Sequence, residues 1–263
     1  MKILLLVVVF LYITVLAYFY FTQNSKIFNI SEIPSNPPIV LKNAKKISLE
    51  VSDDAVLDGV YKKSNQKNLP TIIYFGGNSD DATRFLLYVK NINNFNIVTF
   101  NYRGYVQSTG KPSEKNLFSD ALKIYDKFAK DSKIILIGRS LGSGVALYLA
   151  SKREVSGVVL ITPYDSIASL AKEKYPFLPI DLILKYKFES VKYVEKIASP
   201  ISIIEVKGDR TIPNAHTLKL SKKIKNQGEF IVLENTTHGD VLNHPKFEES
   251  IKNIIKGIYT YAK

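Results

Sequence analysis

A chain of 263 residues, 46% of them hydrophobic, carries enough apolar side chain for one large domain with a sizeable core. It has no cysteine, which excludes disulfides, thiolate nucleophiles and cysteine-based metal sites, and its three histidines (His216, His238 and His244) are too few to suggest a histidine-rich metal centre. The net charge of +12 comes from lysines scattered along the chain rather than gathered in a block, so it argues for a compositional bias over a nucleic-acid footprint, although a diffuse positive field still favours anionic surfaces such as lipid headgroups.

Ile3 to Phe21 runs without a charge. At 1.5 Å per residue, such a stretch roughly spans a ~30 Å hydrocarbon core as a helix. Tyr18, Phe19, Tyr20 and Phe21 stand at its far end, where an interfacial aromatic belt is expected. A cleaved signal peptide is the competing reading, but the apolar stretch is long for one and no clean small-x-small site follows it. The expectation is a retained anchor over residues 1–22. Lys2 ahead of it favours an extracytoplasmic domain, a signal weakened by Lys26 on the other side. Thr22 to Pro38 is polar and punctuated by Pro34, Pro37 and Pro38, and reads as part of a linker over 23–42. One folded domain is expected over 43–263.

Within it, Ile47 to Val51 alternates as an edge strand does, and Gly59 to Lys62 could pair with it as a hairpin. Thr71 to Phe75 reads as a central strand, Asp80 to Ile92 as an amphipathic helix, and Ile97 to Tyr102 as another strand. Ser113 to Lys130 is a helix with Leu117, Ala121, Ile124, Tyr125 and Phe128 on one face. Ile134 to Ile137 is an unbroken apolar run, as a strand buried on both faces is, and Leu141 to Ala150 reads as a small, buried helix. Strands follow at Val155–Ile161, Ile201–Val206 and Phe230–Leu233, with helices near Asn214–Lys225 and Pro245–Tyr261. Strands alternating with helices of this length mean an α/β fold with a mostly parallel sheet covered on both faces.

Function in such a sheet sits at the carboxyl ends of the strands. Gly138-Arg139-Ser140-Leu141-Gly142 is a G-x-S-x-G pentapeptide at a strand-to-helix switch, where a serine is held on a strained turn with its hydroxyl raised above the sheet. Asp209 follows another strand and His238 the last one. An imidazole takes the serine proton and a carboxylate orients that imidazole, so the chain order serine, acid, histidine is that of an acyl-transfer triad. Gly76-Gly77-Asn78, Arg103 and Tyr164-Asp165 occupy the remaining strand ends.

From about Asn43 to Lys256 the chain resembles the serine α/β-hydrolases, and within them it is similar to the membrane-anchored branch that includes protein depalmitoylases and their microbial relatives. The resemblance is carried by IIYFGGNSDD, FNYRGYVQSTGKPSEKNLFSDA, GRSLGSGVALYLAS, the stretch from Tyr175 to Asp209 that holds a short lid and the strand leading to the acid, and THGD at Thr237 to Asp240. It implies the α/β-hydrolase fold with a short lid. It also implies an oxyanion hole formed by backbone N–H groups at Asn78 and Leu141, with Gly77 beside them. Three departures stand out. Gly76 takes the place of a histidine, Val106 replaces a glycine, and the acid loop is shortened so that Gly208 directly precedes Asp209. Glu205 is therefore the reserve acid.

Taken together, these readings lead to a serine hydrolase of the esterase or thioesterase type, with Ser140 as nucleophile, His238 as base and Asp209 as its orienting acid. No metal or organic cofactor is implied. The expected partners are a small acyl ester, a thioester or a lipid, and the membrane through the N-terminal helix. Tyr164 and Arg139 are candidate substrate contacts. Arg103 is expected to brace loops, and His216 and His244 to be structural. The apolar stretch Pro176 to Leu184 is either ordinary packing or a hydrophobic mouth. The alternatives are a peptidase of the same fold and a non-catalytic binding protein at the membrane.

Overall fold

The computed structural model describes residues 1–33, 43–66, 69–130 and 132–261. The first helix, α1 (Lys2–Phe28), is followed by the hairpin β1 (Ala44–Ser52) and β2 (Ala55–Lys62), then β3 (Thr71–Phe75), α2 (Phe85–Tyr88), β4 (Asn96–Phe100) and α3 (Glu114–Phe128). The chain continues with β5 (Ile134–Arg139), α4 (Leu141–Ala150), β6 (Gly157–Ile161), α5 (Ile167–Lys174), α6 (Ile180–Ile183), α7 (Ser190–Val194), β7 (Ile201–Val206), α8 (Asn214–Ser221), β8 (Gln227–Leu233) and α9 (Phe247–Tyr261). Among the described residues the strands form one sheet in the order β1-β2-β4-β3-β5-β6-β7-β8. The β1–β2 and β2–β4 pairs are antiparallel and the others parallel. This is the α/β-hydrolase fold.

The pleat sorts the strand side chains into two cores. Ile73, Phe75, Leu136, Val158, Leu160 and Ile203 pack with residues of α3, α4, α7 and α8 on one face. Ile72, Tyr74, Ile135, Ile137, Val159 and Ile204 pack with α2 and α9 on the other. The parallel strands β3, β5, β6 and β7 are buried along their whole length, as layers on both faces require. β5 therefore lies mid-sheet and delivers Ser140 to the centre of the carboxyl edge.

Two expectations differ from the structure. The helix expected over Asp80 to Ile92 is a 3₁₀ turn at Ala82–Arg84 and the single turn α2. Ala82, Phe85, Leu86 and Val89 still face the core at helical spacing, so the apolar stripe is present without a long helix. The side chain of Asp81 caps the turn by accepting from the Thr83 N–H, and Asn101 accepts the Ala82 N–H, both non-helical partners. The second difference concerns the linker. α1 does not stop at Thr22: it continues to Phe28, whose ring is fully buried against Tyr186 and Phe188. Gln23 donates to the Ile183 carbonyl at 3.1 Å and accepts the Lys185 N–H at 2.7 Å, and the Asn24 amide donates to the Pro112 carbonyl and the Tyr186 hydroxyl at 3.3 Å each. Polar residues that read as a tether are thus the docking surface of the helix. Pro34, Pro37 and Pro38 lie outside the described residues.

Candidate active site

The elbow is built by two close approaches. A Cβ on Gly138 would collide with the Gly142 carbonyl, and one on Gly142 would lie 2.6 Å from the Gly76 carbonyl oxygen. Only glycine lets strand and helix close around the turn. Ser140 sits at φ 49°, ψ −118°, and its N–H donates to the Ile161 carbonyl of the neighbouring strand at 2.9 Å. Such backbone costs on the order of 1–3 kcal/mol and persists only where the surroundings hold it.

The structure brings Ser140, His238 and Asp209 together. His238 Nε2 lies 3.0 Å from Ser140 Oγ, and His238 Nδ1 lies 2.7 Å from Asp209 Oδ2. With the ring proton on Nδ1, the imidazole donates to the aspartate and accepts from the serine. The other carboxylate oxygen of Asp209 accepts the backbone N–H groups of Thr211 at 2.8 Å and Ile212 at 2.9 Å. Burial pushes this carboxyl up, but the bond and charge of His238 and the two backbone donors outweigh it and hold the group below its ordinary value. The shortened loop is a tight turn through Gly208 at φ 67°, with Asn214 accepting the Gly208 N–H at 2.9 Å. The reserve acid Glu205 is also buried, yet His238 Nδ1 bonds to Asp209 instead. Burial raises the Glu205 carboxyl, Asn214 and Thr217 offset this in part, and the nearby Asp209 charge adds to it.

The loop of Gly76, Gly77 and Asn78, expected to supply oxyanion donors, is held by Asp80 and two tyrosines. Gly77 donates its N–H to Asp80 Oδ2 at 2.7 Å, which withdraws it as an oxyanion donor. Without the histidine that Gly76 replaces, the loop is held by Tyr102, whose hydroxyl donates to the Gly76 carbonyl at 2.9 Å, and by Tyr105. The Tyr105 hydroxyl reaches the Asn78 carbonyl at 2.8 Å and the Phe28 carbonyl at 2.6 Å. One phenol therefore joins the end of α1 to the loop carrying Asn78. Leu141 opens α4, where backbone N–H groups precede the first helical bond.

Arg139 and Tyr164, the candidate substrate contacts, are both buried. The Arg139 guanidinium donates to both oxygens of Asp80 at 2.8 and 2.9 Å, and to the carbonyls of His238 and Gly239 at 3.0 Å each. It clamps the His238 loop to the oxyanion loop across the elbow. The Tyr164 hydroxyl donates to the Leu141 carbonyl at 3.2 Å beneath α4. Asp80, which the sequence showed only as the start of a helix, is the residue missed. An arginine inside an apolar elbow requires a carboxylate, and the aspartates after β3 were the available signal. Arg103 forms a two-pronged bond with Asp120 at 2.8 Å on both sides.

The other histidines lie elsewhere. His216 Nδ1 is 2.7 Å from Asp165 and its Nε2 2.8 Å from Glu173, and Lys219 reaches the second Asp165 oxygen at 2.5 Å. His244 accepts the Lys246 N–H at 3.2 Å just before α9.

Comparison with known proteins agrees with the fold. A family model described as the alpha/beta hydrolase fold matches residues 75–191. An uncharacterized protein of Mycobacterium tuberculosis is 26% identical over 220 residues, covering 79% of this chain and 78% of that one. Human alpha/beta hydrolase domain-containing protein 17B is 28% identical over 197 residues, which are 70% of this chain and 66% of that protein. Among solved structures, an esterase from Pyrococcus furiosus is similar in fold, with a TM-score of 0.63 at 17% identity, covering 85% of this chain and 97% of that one. By its sheet and its elbow the chain has the alpha/beta hydrolase fold, and these likenesses are to proteins of that fold.

Proposed function

We propose that the protein is a membrane-anchored serine hydrolase that cleaves a carboxylic ester or thioester. The observation that carries this reading is the strained Ser140, its hydroxyl 3.0 Å from an imidazole whose other nitrogen is 2.7 Å from a buried aspartate. In this reading Ser140 Oγ attacks the acyl carbonyl as His238 Nε2 takes its proton. The tetrahedral oxyanion receives N–H donors from Asn78 and Leu141. Asp209 stabilises the imidazolium, which then protonates the leaving oxygen or sulfur as that bond breaks. Water, deprotonated by His238, attacks the acyl-enzyme, the acid departs, and the proton returns to Ser140. Arg139 holds the His238 backbone in register with the elbow throughout.

The membrane part rests on α1. A window of it has a mean hydropathy of 2.6 and is wholly unburied. The helix also continues unbroken through the region where a signal peptidase would cut, and its last turns are packed into the domain, which favours retention. Lys2 ahead of the span supports an extracytoplasmic domain. Full-length protein should react with a fluorophosphonate, and Ser140→Ala should not. A panel of acyl esters and thioesters of rising chain length then identifies the acyl group. Labelling of the alanine variant at another residue would overturn the assignment. An intact N-terminal mass and protease accessibility in whole cells test the anchor and its orientation.

A further inference from the structure

Beside the lid lies a groove separate from the Ser140 site. Its volume is about 200 Å³, and Phe19, Ile27, Ile167, Leu170 and Leu178 are among its lining residues, whereas Ser140, Asp209 and His238 are not. The part of α1 that borders it runs from Phe19 to Ile27, about 12 Å of helix at 1.5 Å per residue. Lys26 and Lys174, both exposed, stand among its lining residues as its cations.

The contacts of α1 fix the depth of this groove. The lid follows the helix back from its end: Phe28 meets Phe188 and Tyr186, Gln23 meets Ile183 and Lys185, Phe19 packs edge-on against Tyr175 at 4.8 Å, and the Tyr12 hydroxyl donates to the Phe177 carbonyl at 3.0 Å. Tyr12 lies nine residues before Phe21, which is about 14 Å along the helix, or half of a ~30 Å hydrocarbon core. A membrane-spanning α1 therefore carries the segment from Tyr175 to Leu184 into one leaflet. Phe177 is 59% exposed there and Leu182 84%, side chains suited to lipid rather than water. The lysines near the upper end lie where headgroups do.

We propose that the groove between α1, α5 and the lid receives one acyl chain of an anionic bilayer phospholipid, with Lys26 and Lys174 meeting its headgroup. This rests on the membrane placement of α1 given under the proposed function, and not on chemistry at Ser140. The test uses full-length protein in nanodiscs that contain phosphatidylglycerol with a diazirine in one acyl chain, irradiated and mapped by peptide mass spectrometry. Adducts are expected on Phe19–Ile27 and on Ile167–Leu178, equally in wild type and Ser140→Ala. Ala171→Phe, which adds bulk to the lining, should lower groove labelling about tenfold while leaving hydrolysis of a water-soluble short-chain ester unchanged. The exposed pair Lys26→Gln and Lys174→Gln, which does not disturb the core, should lower labelling by the phosphatidylglycerol probe about threefold and leave that by a phosphatidylcholine probe unchanged. Adducts confined to Ile3–Phe21, or groove labelling indifferent to both sets of variants, overturn the proposal. Groove labelling in a protein that hydrolyses no ester would sink the reading of Ser140 and leave this one standing; hydrolysis without groove labelling does the reverse.

Discussion

His238 and His216 each place Nδ1 2.7 Å from a buried aspartate, and they differ in what stands at the other nitrogen. Nε2 of His238 faces the neutral Ser140 hydroxyl at 3.0 Å, a partner with a proton to give. Nε2 of His216 meets the Glu173 carboxylate at 2.8 Å, and Lys219 adds a cation on Asp165. An imidazole between two carboxylates has no nitrogen open to a substrate. It ties together the end of β6, α5 and α8. An aspartate–histidine pair is thus half of a device, and the third group decides whether it moves protons or holds elements in place.

The largest expected effects separate these two halves. Asp209→Asn should lower kcat by about 10⁴, as loss of the orienting carboxylate does in a triad, with only a modest fall in melting temperature from loss of a carboxylate held below its ordinary value. Ester hydrolysis rates and thermal melts of the same samples check this. His216→Ala should do the opposite. Opening the buried Asp165 pair should cost about 3 kcal/mol, a figure discounted because Lys219 and Glu173 are mostly exposed, with kcat altered less than about tenfold. If both variants lose activity and stability together, the distinction fails.

Acid sharpens the comparison. Burial pushes the Asp165 carboxyl up, but Lys219, His216 and Ser169 outweigh it and hold it below its ordinary value. A carboxylate depressed in the fold stabilises above its unfolded pKa of about 3.9, and that stability is lost as pH falls through the folded value. The melting temperature should therefore fall from about pH 5 downward, and fall less steeply in Asp165→Asn. Glu205 has the opposite sign. Burial raises its carboxyl, so the folded state favours the protonated form, and stability is lost as pH rises through the folded value. Glu205→Gln should raise the melting temperature at pH 7, an advantage that disappears below about pH 4.3, with little change in kcat.

Smaller effects concern the supports. Tyr105→Phe removes the hydroxyl that links Asn78 to Phe28, and should lower kcat about fivefold with KM unchanged, the equivalent of one neutral hydrogen bond at the oxyanion loop. Steady-state kinetics on a soluble ester reads this. Val106 sits at φ 51° and is exposed, a conformation a β-branched residue adopts at a cost. Val106→Gly should gain about 0.5–1 kcal/mol in denaturant unfolding, since relief of the strain exceeds the entropy glycine adds.

By itself the sequence determined the periodic features. Apolar runs of four to six residues alternating with amphipathic stretches prescribe a parallel sheet between two helical layers, because burial on both faces leaves no other pattern. Chain order at the strand ends pointed to Ser140 and His238, with Asp209 preferred and Glu205 in reserve as the acid, since a parallel sheet brings all its carboxyl ends to one edge. Only the tertiary structure decided which polar groups meet. Arg139 faces Asp80 and the His238 backbone, Gly77 gives its N–H to Asp80, and α1 continues to Phe28 to dock on the lid. The partners of α1 alone lie up to 165 residues away. Hydrophobic periodicity records whether a position is buried, whereas the partner of a buried polar group depends on which distant loops the fold brings together, so the sequence shows that a partner is needed without showing which one it is.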